Sequence, residues 1–201
     1  MVVDGSSDAM LQYPLRWLLE RVFPDRGINI EWYHEQYSQS ASLQDRIIEA
    51  LSTYDSNTIV FVHRDAEKMT YQKRRQEVEA AIEIAAKLYA KLPPCVPVVP
   101  VRMTEAWLLI DEEAIRFEAN NPNGTITLNL PSINKLSTLP DPKEALKELI
   151  IQATELSTRR LKKFRVHRAM HTVAEEIEDY SPLRSLSSFA RLEEDIRNLS
   201  I

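Results

Sequence analysis

Apolar positions along this chain keep two rhythms, and they alternate through its first half. Met10, Leu11, Leu15, Leu18, Leu19 and Val22 recur at helical spacing after Met1-Val2-Val3, which reads as the end of a short strand. Pro14 falls in the first turns of that helix, where a missing N–H does least harm, and Pro24 to Gly27 close it. Ile28 to Tyr33 alternates as a strand does. Ser42 then caps a second helix with Leu43, Ile47, Ile48 and Leu51 on one face. Thr58 to Val62 is a continuous, mostly β-branched or aromatic run, the pattern of a strand buried on both faces of a parallel sheet. It runs into the polar tip His63-Arg64-Asp65-Ala66-Glu67. A long helix is predicted over Thr70 to Leu92, stopped by Pro93-Pro94. Val96 to Val101 is a further strand, and its two prolines favour a sheet edge.

The second half reads differently. Arg102 to Asp111 opens a helix that continues through Glu118, Asn120 to Gly124 forms a turn, and Thr125 to Leu130 is expected to be a small strand or hairpin arm. Asp141-Pro142-Lys143-Glu144 combines an N-cap acid, proline at the first helical position and a glutamate three residues on, so a helix extends from there to about Leu156. The rest reads as helical with a break at Ser181-Pro182. The β-α-β-α-β-α-β order up to about residue 111 predicts an α/β fold: a mainly parallel sheet with helices on both faces, wound right-handed. Residues 1–120 would form this core, and residues 121–201 a mostly helical extension packed on it.

Composition narrows the classes. Of 201 residues, 44% are hydrophobic and 27% charged, which suits a globular chain with an ordinary core. One cysteine, Cys95, excludes an internal disulfide framework and a Cys-based zinc site, and its place at the head of an apolar strand marks a buried inert thiol. No apolar run reaches the ~18 residues of a membrane span and no basic-then-apolar leader is present, so a cytoplasmic location away from membranes is expected. A net charge of −5 argues against coating nucleic acid but permits a local basic groove. Only three glycines occur, and no glycine-rich phosphate loop is found.

In sheets of this kind chemistry sits beyond the carboxyl ends of the strands. Acids recur at those positions: Asp4 with Asp8, Asp65 with Glu67, and Glu105. Alternate side chains of extended backbone share a face, so Asp65 and Glu67 are placed to converge on one cation. Oxygen ligands gathered from several strand ends suit Mg²⁺ or Mn²⁺, which activates water and neutralises charge on a phosphodiester. Each acid alone has a plainer reading: a turn at Asp4, an N-cap at Asp8, a first helical turn at Glu105.

Val3-Asp4-Gly5-Ser6-Ser7-Asp8 resembles the first motif of TOPRIM domains, and Val60-Phe-Val-His-Arg-Asp65-Ala-Glu67 resembles their D-x-D motif. Val101-Arg-Met-Thr-Glu105-Ala-Trp107-Leu-Leu-Ile-Asp111 resembles a segment of a TOPRIM-like bacterial family of uncharacterised function, often encoded beside AAA-type ATPases in defence or repair cassettes. The resemblance implies Mg²⁺- or Mn²⁺-dependent endonucleolytic cleavage of DNA or RNA, together with an ATPase partner, in antiviral defence or repair. It places Asp4 as the acid/base carboxylate, Asp65 and Glu67 as metal ligands and Glu105 as a further site acid. Asp4 replaces the usual Glu and Glu67 the usual Asp, changes that keep charge and alter reach.

Basic residues add a substrate surface. Arg159, Arg160, Lys162, Lys163, Arg165 and Arg168 lie in a stretch without acids, either a phosphate-tracking surface or a solvated helix face. Lys68, Lys73, Arg74 and Arg75 follow the acidic tip and are placed to meet the same backbone. His63 is a proton relay or a hydrogen-bonded strand-end histidine. His167 and His171 share a helix face at a zinc spacing without the acid of H-E-x-x-H. Trp17, Trp32 and Trp107 fit packing roles. Two rival functions keep the same fold: a non-catalytic subunit that docks an ATPase or senses a nucleotide, and a different phosphotransferase or phosphatase.

Overall fold

The structure, a computed structural model, describes residues 1–2, 6–26, 41–54, 58–88 and 93–199. A 3-10 turn over Ser6–Leu11 leads directly into α1 (Gln12–Val22), with Pro14 in its first turn. α2 (Leu43–Thr53) starts at Ser42 with a reciprocal capping box: the Ser42 hydroxyl accepts from the Asp45 N–H, and Asp45 accepts from the Ser42 N–H. β1 (Val60–His63) is followed by α3 (Tyr71–Ala86), capped by Thr70, and by β2 (Cys95–Val98). α3 ends at Ala86, short of the Leu92 expected from the sequence; residues 89–92 lie outside the described residues, as do the strand expected over Ile28 to Tyr33, Asp4 and Trp32.

β1 and β2 pair in parallel, His63 opposite Val98, and Val2 forms a single parallel bridge on the other side of β1. The expected β2 edge position fits Pro97, which sits in the strand opposite Val62 without an N–H to give. The fold is mixed α/β and 58% helical, and only a two-stranded parallel sheet stands among the described residues where the sequence predicts a mainly parallel sheet.

Alternation along β1 divides the interior in two. Val60 and Val62 join Ile47, Ala50 and Leu51 of α2 and Val78 and Ala85 of α3. Phe61, Val96 and Val98 belong to a larger cluster that runs from Met10 to Ile196. At its centre Trp107 meets Phe189 edge-on at 5.1 Å, and Trp17 meets Tyr180 and Phe189 at 6.2 and 6.4 Å. Such ring pairs add to the burial of some of the largest side chains in the protein.

Three predicted elements take other forms. The helix expected from Arg102 through Glu118 is two pieces, a 3-10 turn over Thr104–Leu108 and α4 (Glu112–Glu118). Thr104 to Leu108 are all buried, an all-round burial that lacks the single stripe of a surface helix, and Asp111 starts α4 by accepting from the Ala114 N–H. Thr125 to Leu130 is not a strand and bends at Ile126. Its main chain bonds side chains instead: Glu155 accepts from Thr125 and Ile126, while Arg116 and Gln152 donate to Ile126 and Thr127. A side chain on Gly124 would come within 2.6–2.8 Å of Asn121, Arg116 and Glu155, whose polar tips those bonds hold in place. Gly124→Ala is expected to cost about 1–3 kcal/mol, read as a lower urea midpoint with an unchanged slope.

The remaining helices follow in order: α5 (Ile133–Leu136), α6 (Pro142–Ala153), α7 (Thr158–Leu161), α8 (Val166–Glu176) and α9 (Ser187–Arg197). Asp141 caps α6 through the Glu144 N–H as its sequence predicts, and a 3-10 turn over Ser181–Ser185 makes the expected break. Arg75 of α3 donates two bonds to Asp195, tying α9 to the β1–β2 side of the molecule.

Candidate functional site

Beyond β1 and β2 the two chains keep bonding. Arg64, Ala66 and Glu67 donate in turn to the carbonyls of Val98, Pro100 and Arg102. This ladder ends where Glu67 and Arg102 both enter the left-handed region, at φ 51° and 67°. Two non-glycine residues in that conformation, directly hydrogen-bonded, mark a strained tip of the kind that gathers at functional sites. Left-handed backbone at Glu67 also breaks the strand alternation. Asp65 turns inward and is half-buried, whereas the Glu67 side chain is 68% exposed and lies 3.6 Å from Arg74.

His63 organises the inner side. It is 1% exposed, on the same sheet face as Phe61, and lies between two carboxylates. Its Nε2 stands 3.2 Å from Asp65 Oδ1, and its Nδ1 stands 3.4 Å from Asp8 Oδ2, an ion-pair distance too long for a strong hydrogen bond. The Thr104 hydroxyl closes a triangle, 3.2 Å from both His63 Nε2 and Asp65 Oδ1. Burial alone would lower the imidazole pKa. The hydrogen bond to Asp65, with the negative charges of Asp65 and Asp8, outweighs burial and pushes it up to about 9. At neutral pH the ring is therefore a buried imidazolium shared by two aspartates.

The acids named by the sequence thus divide. Asp8 and Asp65 come together around His63; Glu67 stands outside them with Arg74; Asp4 lies outside the described residues. Glu105 is buried beside Thr104, and its carboxylate is 3.5 Å from Lys143 of α6. Among the described residues no group of three or more His, Cys, Asp or Glu is arranged to hold a metal ion, the His167–His171 pair included. Asp65 Oδ1 is occupied by His63 and Thr104, and no bond ties its second oxygen among the described residues. Mg²⁺ commonly takes one or two carboxylates and completes its shell with water and phosphate. Asp65 has an oxygen for such use, whereas Glu67 stands outside with Arg74 and does not converge with it as the spacing predicts.

The basic residues divide too. Arg74 is 5% exposed and donates to Glu77, and Arg75 is committed to Glu79 and Asp195, so neither is offered to a phosphate backbone; Lys68 and Lys73 are exposed. Arg159, Arg160, Lys162, Lys163, Arg165 and Arg168 are all exposed over α7, the following turn and the start of α8. Burial pushes the Cys95 thiol up to about 11, so alkylation by iodoacetamide at pH 8 is expected to be slow in the folded protein and to accelerate on unfolding. Thr104 was hidden from pattern reading. The signal that finds it is the parallel register, which brings the residues after β2 beside those after β1.

No family model, curated protein or solved structure matches this chain. No helix among the described residues is long and apolar enough to cross a membrane.

Proposed function

We propose that this chain hydrolyses phosphodiester bonds in DNA or RNA with Mg²⁺ or Mn²⁺, at the carboxyl end of β1. The observation that carries the reading is Asp65. It leaves a parallel strand at the place where such sheets bind ligands, one oxygen fixed by His63 and Thr104 and the other without a bond among the described residues. Glu67 stands two residues on, exposed. When bound, the ion supplies charge neutralisation at the phosphate and an acidified water. The chain's own part is positional. His63 keeps its proton between Asp8 and Asp65 and holds the Asp65 carboxylate in one orientation, and Thr104 donates to the same oxygen. Asp4 takes the acid/base role by its likeness to TOPRIM domains, and Glu105, held by Lys143, lies beside Thr104.

The finer architecture goes with this reading. Val2, β1 and β2 would be the described part of a larger TOPRIM-like parallel sheet with helices on both faces, residues 1–120, and residues 121–201 its helical extension. The two interior clusters that meet alternate residues of β1 support it. A cytoplasmic setting and an AAA-type ATPase partner in defence or repair follow from the same likeness.

A second reading is a non-catalytic subunit that docks an ATPase or senses a nucleotide. What favours it is that Asp8, Asp65, Glu67 and Glu105 each have a cation within 4 Å inside the protein. Plasmid DNA, single-stranded DNA and RNA incubated with Mg²⁺, Mn²⁺ or EDTA decide between the two. The hydrolytic reading expects cleavage that EDTA stops and that Asp65→Ala with Glu67→Ala removes. Folded protein that cuts none of the three substrates with either ion leaves the docking role.

A further inference from the structure

Charge is spread unevenly over the described surface. Arg74, Arg75, Arg116, Arg184, Arg191 and Arg197 all close on acids. The six cations between Arg159 and Arg168 do not: among the described residues none has an acidic partner within ion-pair distance. In a protein of net charge −5 this is a concentrated positive strip with no ion-pair partner among the described residues.

The strip borders a cavity. Lys163, Phe164, Arg165 and Arg168 line an open space of about 440 Å³ with Glu118 and Asn120 from the end of α4. The Thr172 hydroxyl of α8 donates to Glu118, the one acid in the wall, whose single negative charge faces three cations. The cations outnumber it, which favours an anion, and no side chain caps the start of α8 between them. Phe164 adds a half-buried aromatic ring, and the volume is that of a small-ligand site. Cations beside one aromatic wall are what a nucleotide unit needs: charge for the phosphate and a ring for the base.

The geometry points to a single-stranded nucleic acid here, with a phosphate on Lys163, Arg165 and Arg168 and an unpaired base against Phe164. A strand accounts for the surface better than a free nucleotide, because Arg159, Arg160 and Lys162 continue the positive strip outside the cavity. A duplex keeps its bases stacked and away from such a wall. Past Arg168, α8 presents His171 and Thr172 to a second cleft of about 290 Å³, whose other wall includes Ala9 and Met10. Those residues directly follow Asp8. Glu175 also lines that cleft, so the positive strip at the start of α8, and not this second space, is the part suited to phosphate. This inference names the substrate class for the hydrolytic reading and rests on it for its purpose, though not for its test.

The test is binding of a fluorescein-labelled 12-nucleotide single strand, by anisotropy, with EDTA present so that cleavage plays no part. Arg165→Ala with Arg168→Ala is expected to weaken binding at least ~10-fold and to flatten the dependence of log K on log salt by about 1.4. Phe164→Leu is expected to weaken it roughly 5- to 100-fold while leaving the salt slope in place. Lys87→Ala with Lys135→Ala, the same charge change at exposed sites elsewhere, is expected to bind as wild type does. A matched duplex should bind more weakly than the single strand. Arg165 and Arg168 are exposed, so loss of fold does not cloud the comparison. The inference is overturned if the Arg165/Arg168 variant binds like the lysine control, or if a mononucleotide competes as well as the strand. Intact binding without any cleavage counts against the hydrolytic reading alone.

Discussion

His63→Leu is expected to lower the stability of the protein by about 3–5 kcal/mol, a fall of roughly 10 °C or more in Tm. The loss does not come from the imidazole's own packing. Asp8 and Asp65 face the ring from its two nitrogens, and leucine puts an apolar group beside both carboxylates in place of the shared cation. Adding Asp65→Asn to His63→Leu should recover part of the loss, a non-additivity that a double-mutant cycle measures. The pH profile carries a second signature. Because the folded pKa is raised from 6.5 to about 9, the imidazolium's contribution is fully present below about pH 6.5 and fades as pH rises through 9. The amount at stake is on the order of 3 kcal/mol. Denaturant titrations of the wild type between pH 6 and 9.5 should show this decline, and His63→Leu should lack it. A wild-type profile that stays flat would mean that the ring is neutral.

The largest effect on activity is expected at Asp65. Under the hydrolytic reading Asp65→Asn keeps the shape of the side chain but removes the charge that draws a divalent ion, and several kcal/mol of transition-state stabilisation go with it. That corresponds to a loss of cleavage of at least ~100-fold. The same change removes a charged partner of His63, so stability falls too, and rates belong at a temperature where circular dichroism shows the variant folded. Glu67→Gln separates the two effects. Its side chain is exposed, with only a 3.6 Å contact to Arg74, so Tm should move little while cleavage drops. Activity that survives both substitutions would place the chemistry elsewhere.

Local chemistry made much of the fold legible. Ser42 and Asp141 announce their helices because a side-chain oxygen three residues before a free N–H is a local event, and both form as read. Long-range competition is what pattern reading loses. Thr125 to Leu130 has the look of a strand, yet Glu155, Arg116 and Gln152 take its main-chain groups first. Trp107 sits in a run that is buried all round, so no periodicity distinguishes a 3-10 turn from a helix there. At the site, the sequence singles out Asp8, His63 and Asp65 but not their mutual arrangement. A period-two argument sends Asp65 and Glu67 to one side; the left-handed residue at 67 sends them to different ones. Glu77 and Glu79 lie at helical spacing from Arg74 and Arg75 and could have been read as their partners, whereas Asp195 is brought to Arg75 only by the fold.

Phe189 bears on how such a chain is made. Trp17 and Trp107 lean on a ring encoded near the far end of the sequence, so during synthesis on the ribosome neither finds its final neighbour until α9 has emerged. Until then a nascent chain carries two large aromatic surfaces uncovered, the condition under which chaperone capture and aggregation compete with folding.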